Sequence, residues 1–243
     1  MQYANVGGER VEATPGIKAT CPLCKTGVVA KCGQLVVHHW AHVSNQECDP
    51  WWEPETAWHR RWKSFARQTE VTIQNHRADI VTSTGLIVEL QHSGIAVEEI
   101  QERERCYGPN LRWLFDGTNI PVSAPNREHL CYPLPPDTDD FVTVPGDYGH
   151  NLLRWEGKFW TPRGLTTRLN LQCKQPATNR SWGVVTFRWL HPRKHYASPA
   201  RPVYIDLPGH FILKLGHMYI EDGVPCRGWG HLVPRATVEG WLR

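Results

Sequence analysis

The first 50 residues lack a helical hydrophobic period, and they carry a cysteine and histidine pattern that limits how they can fold. Cys21-Pro22-Leu23-Cys24 places two thiols on one tight turn, and His39-Trp40-Ala41-His42 follows after 14 intervening residues. Zinc prefers four nitrogen or sulfur ligands in a tetrahedron, and two such pairs supply them. Because the metal would also order a segment with little core, the spacing predicts a zinc-binding segment over residues 1–50.

The ligands of this zinc site are assigned from the two motifs. They are the outer residues of each motif: Cys21, Cys24, His39 and His42. An H-x2-H spacing gives each histidine its own side of a turn, which favours this set. Nearby alternatives are His38, Cys32 and Cys48. The competing interpretation is an incidental or redox-active thiol pair with surface histidines.

Composition excludes several classes of protein. The chain has 243 residues, 21% charged and 40% apolar, with a mean hydropathy of −0.47, unlike a disordered or membrane protein. It contains no run of 18 apolar residues and no apolar signal segment at its start. Its 8 cysteines are too few for a disulfide scaffold of this length. We therefore expect a cytoplasmic protein with reduced cysteines and no membrane partner.

Residues 51–118 predict one αβββαβ unit. Apolar spacing predicts helices over Glu53–Gln68, with Pro54 in the first turn, and over Val97–Tyr107. Alternating or apolar runs predict strands at Glu70–Gln74, His76–Val81, Leu86–Gln91 and Leu111–Phe115. The fold class is therefore α/β for this part of the chain.

The rest of the chain is punctuated by proline and glycine. Residues 119–150 are rich in proline and aspartate and predict a linker or a surface loop. Residues 151–243 predict a mostly β C-terminal domain, with strands such as Val184–Leu190 and His210–Ile220. Tryptophan, arginine and lysine interleave here, which suits either a packed core or contacts with nucleic acid.

Two carboxylates fall on neighbouring predicted strands of the αβββαβ unit. Asp79 lies in the second strand, while Glu89 and Gln91 lie two apart on the third and share one face. If these strands pair, Asp79 and Glu89 become neighbours, and the backbone carbonyl of Leu90 lies between the side chains on the third strand. Clustered acids are costly without a cation, and Mg²⁺ prefers oxygen ligands. The pattern predicts a magnesium site at Asp79, Glu89 and Leu90.

The preceding helix adds a third group of polar residues. Glu55, His59 and Lys63 are spaced by four and share one helix face, which can point toward the same metal. The alternative interpretation is a surface ladder of ion pairs beside solvated strand-end acids.

In this order and spacing, the motifs resemble CoiA-like proteins of the PD-(D/E)XK nuclease superfamily. The motifs that carry the resemblance are Cys21-x2-Cys24, His39-Trp40-Ala41-His42, Glu55-x3-His59-x3-Lys63, Arg77-Ala78-Asp79-Ile80, Glu89-Leu90-Gln91-His92-Ser93 and Arg103-x3-Tyr107. The resemblance implies a restriction-endonuclease-like core behind a structural zinc segment, in a family linked to DNA uptake and processing.

One position departs from the superfamily pattern. The usual catalytic lysine, two residues after the glutamate, is Gln91 here, as in CoiA-like members. The resemblance implies that Asp79 and Glu89 hold Mg²⁺ or Mn²⁺, with Glu55 adding to the metal shell. Gln91 or the helix-borne Lys63 would position water or phosphate, with metal-bound water as the nucleophile. His59 is assigned to the same catalytic face.

Nucleic-acid contacts are expected at two places. The resemblance implies that residues of the core motifs contact the phosphate backbone or brace the site: Arg77, Ser93, Arg103 and Tyr107. A basic run in the C-terminal part adds Arg193 and Lys194. An ordinary amphipathic helix is the alternative for Arg103 and Tyr107.

These observations favour a Mg²⁺-dependent nuclease that hydrolyses phosphodiester bonds in DNA. The alternative is a catalytically inactive nuclease fold that binds DNA or a protein partner in recombination, phage or defence processes. Loss of the strand lysine favours the binder, whereas the retained carboxylates favour the enzyme. A transcription-type zinc protein fits less well, because the zinc segment has no recognition helix.

Overall fold

The computed structural model describes residues 1–35, 37–44, 48–119, 154–155, 158–159, 183–188, 194–207, 211–221 and 223–243. These residues form an N-terminal five-stranded sheet, an eight-stranded mixed sheet and a separate two-stranded hairpin. Helices pack on both faces of the large sheet. The architecture is therefore mixed α/β with more strand than helix.

The N-terminal sheet is antiparallel and small. Its strands are β1 (Tyr3–Val6), β2 (Glu9–Glu12), β3 (Ala19–Thr20), β4 (Gly27–Lys31) and β5 (His39–His42), in the order β2-β1-β3-β4-β5. Gly7 and Gly8 both have positive φ and form the two-residue turn between β1 and β2, which requires that conformation. Trp40 is the one aromatic side chain of the buried core beneath this sheet. So thin a core fits a segment that needs a further cross-link.

The predicted αβββαβ order is present in the structure. It consists of α1 (Ala57–Lys63), β6 (Gln68–Ile73), β7 (His76–Val81), β8 (Ile87–Gln91), α2 (Val97–Tyr107) and β9 (Leu111–Asp116). The first helix is shorter than expected, because Thr56 caps it and the His59 side chain completes the capping box. Pro54 therefore precedes the helix, and its expected place in the first turn is wrong.

Strands from the C-terminal part extend the same sheet. Beyond a hairpin of β10 (Arg154–Trp155) and β11 (Lys158–Phe159), the elements are β12 (Gly183–Arg188), β13 (Val203–Asp206), β14 (Phe211–Glu221), β15 (Val224–Pro234) and α3 (Arg235–Trp241). The sheet order is β12-β15-β14-β13-β9-β8-β7-β6, and β13 runs parallel to β9. Strands β12 to β15 thus belong to the same sheet as the core, whereas a separate β domain was expected.

The expected linker at 119–150 lies outside the described residues beyond position 119. Strand β9 lies between β8 and β13 and is buried on both faces. Trp113 and Phe115 enter one core together with α2, and Leu114 enters the opposite core with α1 and α3. A strand covered on both sides reads as a nearly continuous apolar run, as β9 does.

No helix in the described ranges has the length and apolarity needed to cross a membrane.

Asp206, at the end of β13, ties three elements together. It is fully buried and accepts hydrogen bonds from the indole nitrogens of Trp58 at 2.9 Å and Trp62 at 3.0 Å. The Arg235 guanidinium at the start of α3 donates to its other oxygen, with Nε at 2.9 Å. A single carboxylate thus fixes α1 and α3 on the same face of the sheet.

Replacing this carboxylate should destabilise the whole fold. Asp206→Ala leaves two indole N–H groups and a guanidinium without their acceptor, and we expect a loss of about 3–5 kcal/mol in unfolding free energy. Urea denaturation followed by tryptophan fluorescence measures it. Asp206→Asn keeps one acceptor oxygen and should lose less. The control Glu239→Ala breaks only a surface pair with Arg61 and should cost below about 1 kcal/mol; an Asp206→Ala loss equally small would contradict the anchoring role.

Candidate functional site

Four side chains of the N-terminal segment form a cluster that could hold a metal such as zinc. Cys21, Cys24, His42 and Cys48 each bring one ligand atom within 4.8 Å of the others. The Cys21 and Cys48 sulfurs lie 3.7 Å apart, and the Cys24 sulfur lies 3.3 Å from His42 Nε2. With Zn–S bonds near 2.3 Å, two sulfurs of a tetrahedral site lie ~3.8 Å apart. The donor types and their spacing therefore fit zinc.

Short turns position these ligands. The Cys21 amide donates to the Thr26 carbonyl at 2.8 Å, and the Lys25 amide donates back to the Cys21 carbonyl at 3.0 Å. Lys25 has a φ of 63°, so the chain reverses tightly and presents Cys21 and Cys24 on the same knuckle. His42 ends β5, which lies beside β4 in the sheet, and brings the third ligand across.

His39 lies outside this cluster, and Cys48 stands in the position assigned to it. Residues 39–42 form a strand rather than a turn, so side chains alternate and residues three apart face opposite sides. Trp40 and His42 face the small core, whereas His39 Nδ1 lies 2.9 Å from the Val37 carbonyl. The assignment of His39 as a zinc ligand is therefore corrected; the proximity of Cys48 in sequence was the signal that pointed to the fourth ligand.

Electrostatics within the cluster favour a bound cation. Burial and the adjacent Cys21 sulfur raise the pKa of Cys48 to about 12. Burial also acts to raise the pKa of Cys24, but hydrogen bonds with Thr26 and His42 lower it to about 6. Because thiolates are the ligands that zinc binds, a divalent cation would stabilise all three cysteines in their charged form.

A second cluster consists of carboxylates on adjacent strands of the large sheet. Asp79 on β7 lies between the paired residues Ala78 and Ile80, beside Glu70 on β6, and it comes one residue before the Ile80–Val88 pair that joins β7 to β8. The Asp79 amide donates to Glu89 Oε1 at 3.2 Å, and the Leu90 amide donates to Asp79 Oδ2 at 3.0 Å. We call Glu70, Asp79 and Glu89 the carboxylate row. Like charges directly opposite one another repel and need compensation.

Lys63 from α1 supplies much of that compensation. Its Nζ lies 3.1 Å from Asp79 Oδ1, 3.2 Å from Glu55 Oε2 and 3.4 Å from Glu70 Oε1. Burial favours the neutral amine, yet the carboxylates of Asp79, Glu70 and Glu55 together raise the pKa of Lys63. The lysine is therefore a buried, charged ammonium at the centre of the row.

Arg103 compensates the other end of the row. Its Nη1 lies 2.6 Å from Glu89 Oε2, its Nε donates to Glu99, and its Nη2 donates to the Trp51 carbonyl at 2.7 Å. Burial and the nearby Asp79 carboxylate raise the pKa of Glu89 to about 7, against the opposing effect of Arg103. Glu89 is thus a buried carboxylate whose negative charge is only partly stabilised by Arg103.

Glu53 was not predicted from the sequence, yet it links the helix to the strand that carries Glu89. Its carboxylate lies 3.5 Å from His59 Nε2 and accepts the backbone amides of His92 at 3.2 Å and Ser93 at 2.5 Å. Burial opposes ionisation, but the contacts with His59 and Ser93 lower the pKa of Glu53 to about 2. This charged side chain fixes the end of β8.

These groups surround a cavity of about 40 Å³, enough for one water or one small cation. The predicted catalytic and metal residues that line it are Glu55, His59, Lys63, Asp79, Glu89 and Leu90. Gln91 is not among the lining residues, and its Nε2 donates to the Ser93 carbonyl at 3.3 Å. Glu70 lines the cavity without having been predicted, and it adopts a positive φ of 50° that is rare outside glycine.

Two of the residues expected to contact nucleic acid or to brace the site are buried. Arg103 is buried and bound to Glu89, and Tyr107 lies in the core with its ring edge-on to Trp51 at 5.8 Å. Arg77 lines the cavity, and its backbone amide donates to Asp49 Oδ2 at 2.8 Å. The amphipathic-helix alternative therefore describes Tyr107, while Arg103 has the bracing role.

The remaining expected contacts lie away from the cavity. Ser93 is exposed after β8, and Lys194 is exposed at the start of a short 3₁₀ helix, Lys194–Tyr196. Neither lines the cavity. Arg193 lies outside the described residues.

Comparison with known proteins gives one match. Residues 16–50 match the sequence model of the N-terminal domain of competence protein CoiA. This stretch contains all four residues of the metal cluster, so the match supports the likeness to the CoiA family for the segment that carries that cluster. No curated protein and no solved structure matches the chain.

Metal analysis distinguishes the two possible ligand sets. Protein purified without chelator should contain about one zinc per chain, and Cys48→Ser should lose most of it because one of four donors is removed. His39→Ala should keep its zinc, since that ring lies outside the cluster. Elemental analysis of the three proteins gives the result. Zinc retained by Cys48→Ser but lost from His39→Ala would restore the H-x2-H assignment.

Proposed function

We propose that this chain is a metal-dependent nuclease that hydrolyses phosphodiester bonds in DNA, in a competence-related role of the CoiA type. The observation that carries the proposal is the carboxylate row, with the Lys63 ammonium in contact with Asp79. Carboxylates gathered on adjacent strands beside a buried cation form a site that can bind a divalent metal and a phosphate together. The CoiA match of residues 16–50 supports the competence context.

The carboxylates at the cavity fit Mg²⁺ or Mn²⁺ better than zinc, because their donor atoms are oxygens. Asp79 and Glu89 would hold the ion, with the Leu90 carbonyl and Glu55 as further oxygen donors. Such an ion lowers the pKa of bound water and neutralises phosphate charge. Asp79 Oδ1 contacts Lys63 and Oδ2 accepts the Leu90 amide, so a metal would share Asp79 with the ammonium.

The position of Lys63 also bears on the missing strand lysine. Gln91 occupies the usual lysine position, but it lies outside the cavity and its amide is bound to the Ser93 carbonyl. Lys63 reaches the row from the helix instead. A permanently charged ammonium cannot accept a proton, so we assign Lys63 to holding the phosphate and orienting the water rather than to general base catalysis.

A second function has its own support. Lys63 and Arg103 already compensate the row through direct ion pairs, so charge balance alone does not demand a metal. A catalytically inactive nuclease fold that binds DNA or a protein would keep the same ion pairs for stability. The nuclease is preferred because the carboxylates surround an open cavity rather than packing against one another.

A cutting assay tests the enzyme directly. Purified protein is incubated with linear, nicked and single-stranded DNA and with RNA, in Mg²⁺, Mn²⁺ or EDTA. We expect metal-dependent cutting that falls about 100-fold or more in Asp79→Ala and Glu89→Ala, because each removes a metal donor. Glu98→Ala, an exposed carboxylate on α2, is the matched control and should cut normally. Cutting that survives both site substitutions, or persists in EDTA, would contradict the assignment.

Metal binding can also be tested without any activity. Lys63→Met removes the ammonium, which leaves Asp79 without its ion pair and Glu55 and Glu70 with one cation fewer, at a cost of about 3–5 kcal/mol in stability. Millimolar Mg²⁺ should then recover part of the lost melting temperature, because the ion replaces the missing charge. Arg61→Met, on the same helix but outside the cavity, is the control. An equal Mg²⁺ response in the two variants would argue against a magnesium site at the row.

A further inference from the structure

A groove lies between the N-terminal sheet and the start of the large sheet. It has a volume of about 730 Å³, and residues from β1, β2, α1 and β6 line it. Its charged side chains are mostly basic: Arg10, Arg60, Lys63 and Arg67, with Glu12 as the acidic one. A concave surface dominated by one sign of charge attracts the opposite sign, so the groove suits a polyanion.

The groove and the carboxylate cavity share one wall. Lys63 lines both spaces, and its ammonium contacts Asp79 on the cavity side. Arg60, one turn earlier on α1, lies 3.2 Å from Glu55, which also contacts Lys63. A phosphate chain lying in the groove would therefore pass beside Lys63, the one side chain among the described residues that belongs to both linings.

From this arrangement we infer that the groove binds single-stranded nucleic acid and carries its phosphate backbone past Lys63 to the carboxylate row. The inference rests on the proposed function and adds the route and strandedness of the substrate. A groove of about 730 Å³ holds a few nucleotides of one strand and is too small for both strands of a duplex. Proteins that bind single strands commonly combine a basic groove with an aromatic surface for the bases.

Both of those features are present in the groove. The Arg10 guanidinium lies 4.3 Å from the centroid of the Tyr3 ring, which forms a flat cation–π surface of the kind on which bases stack. Gln2 lines the groove, and its buried Oε1 has no hydrogen-bond partner within the part of the chain that the structure describes. Because that atom is shielded from solvent, base contacts in the groove would fall to Tyr3 and Arg10.

Arg67 is the groove residue best suited to test this assignment. It is exposed just after α1, and no hydrogen bond or ion pair of Arg67 occurs among the described residues. Arg60, in contrast, is engaged with Glu55 and Glu12. Replacing Arg67 therefore changes the charge of the groove with little effect on the fold.

The experiment measures binding in EDTA, where no metal-dependent cutting occurs. Fluorescence anisotropy uses the full chain with labelled single-stranded DNA, single-stranded RNA and duplex DNA, each about 12 nucleotides long. We expect tighter binding of single strands, about tenfold weaker binding by Arg67→Glu at low salt, and a salt slope lower by about 0.7 in Arg67→Ala. Arg67→Lys should retain binding. Arg105→Glu, the same charge reversal at an exposed position on α2, should have little effect.

Several results would overturn the inference. They are equal affinity of Arg67→Glu and Arg105→Glu, preference for duplex, or no binding of any probe. Preference between the DNA and RNA strands identifies which one the groove accepts. Binding that depends on Arg67 in a protein that never cuts would sink the nuclease and leave the groove standing. If Arg67→Glu cuts as well as the unchanged protein, the groove assignment is wrong and the nuclease proposal stands.

Discussion

The buried contact between Asp206 and the two tryptophans of α1 is the interaction on which the candidate active site depends. Asp206 and Trp58 lie 148 residues apart in the chain, so the C-terminal part holds in place a helix from the first third. A helix as short as α1 is marginal on its own, and its stability must come from tertiary packing. The described residues that line the carboxylate cavity come from the first 103 positions, yet the helix that delivers Lys63 to it is fixed from β13. The described C-terminal strands therefore hold α1 in place, while the side chains that line the cavity come from elsewhere in the described chain.

Charge compensation is the second constraint on that site. Lys63 and Arg103 contact Asp79 and Glu89 directly, and Glu55 and Glu70 share the lysine. Arg60 and Arg10 add contacts to Glu55 and Glu70, at 3.2 and 3.9 Å. Burial and the nearby Asp79 nevertheless raise the pKa of Glu89 to about 7. A divalent cation or a proton on Glu89 would each relieve the cost of burying this carboxylate. A bound cation would give the hydrolytic site proposed above, whereas a proton would give a purely structural one.

Local patterns allowed prediction of the elements, but not of contacts between distant parts of the chain. The boundaries of α2 and β7 agree with their predicted ranges, because hydrophobic period and turn residues are local signals. The neighbouring positions of Asp79 and Glu89 also followed from strand alternation and a short hairpin. Glu70 was not predicted, since its place in the site depends on the pairing of β6 with β7 and on a left-handed backbone conformation. The parallel pairing of β13 with β9 spans a long separation that no local pattern encodes.

The N-terminal segment, which carries the metal cluster, also supports the carboxylate row. The backbone amides of Gln2 and Tyr3 donate to Glu70 at 2.7 and 3.1 Å, so the first strand of the N-terminal sheet holds one end of the carboxylate row. The Arg60 side chain on α1 reaches the His38 carbonyl, just before the strand that carries His42. A metal that orders this thinly packed sheet would thereby also order Glu70 and one wall of the basic groove. The metal cluster and the carboxylate row, which sequence spacing suggests separately, are therefore connected by these hydrogen bonds. The arrangement of the carboxylate row depends on the order of the N-terminal segment.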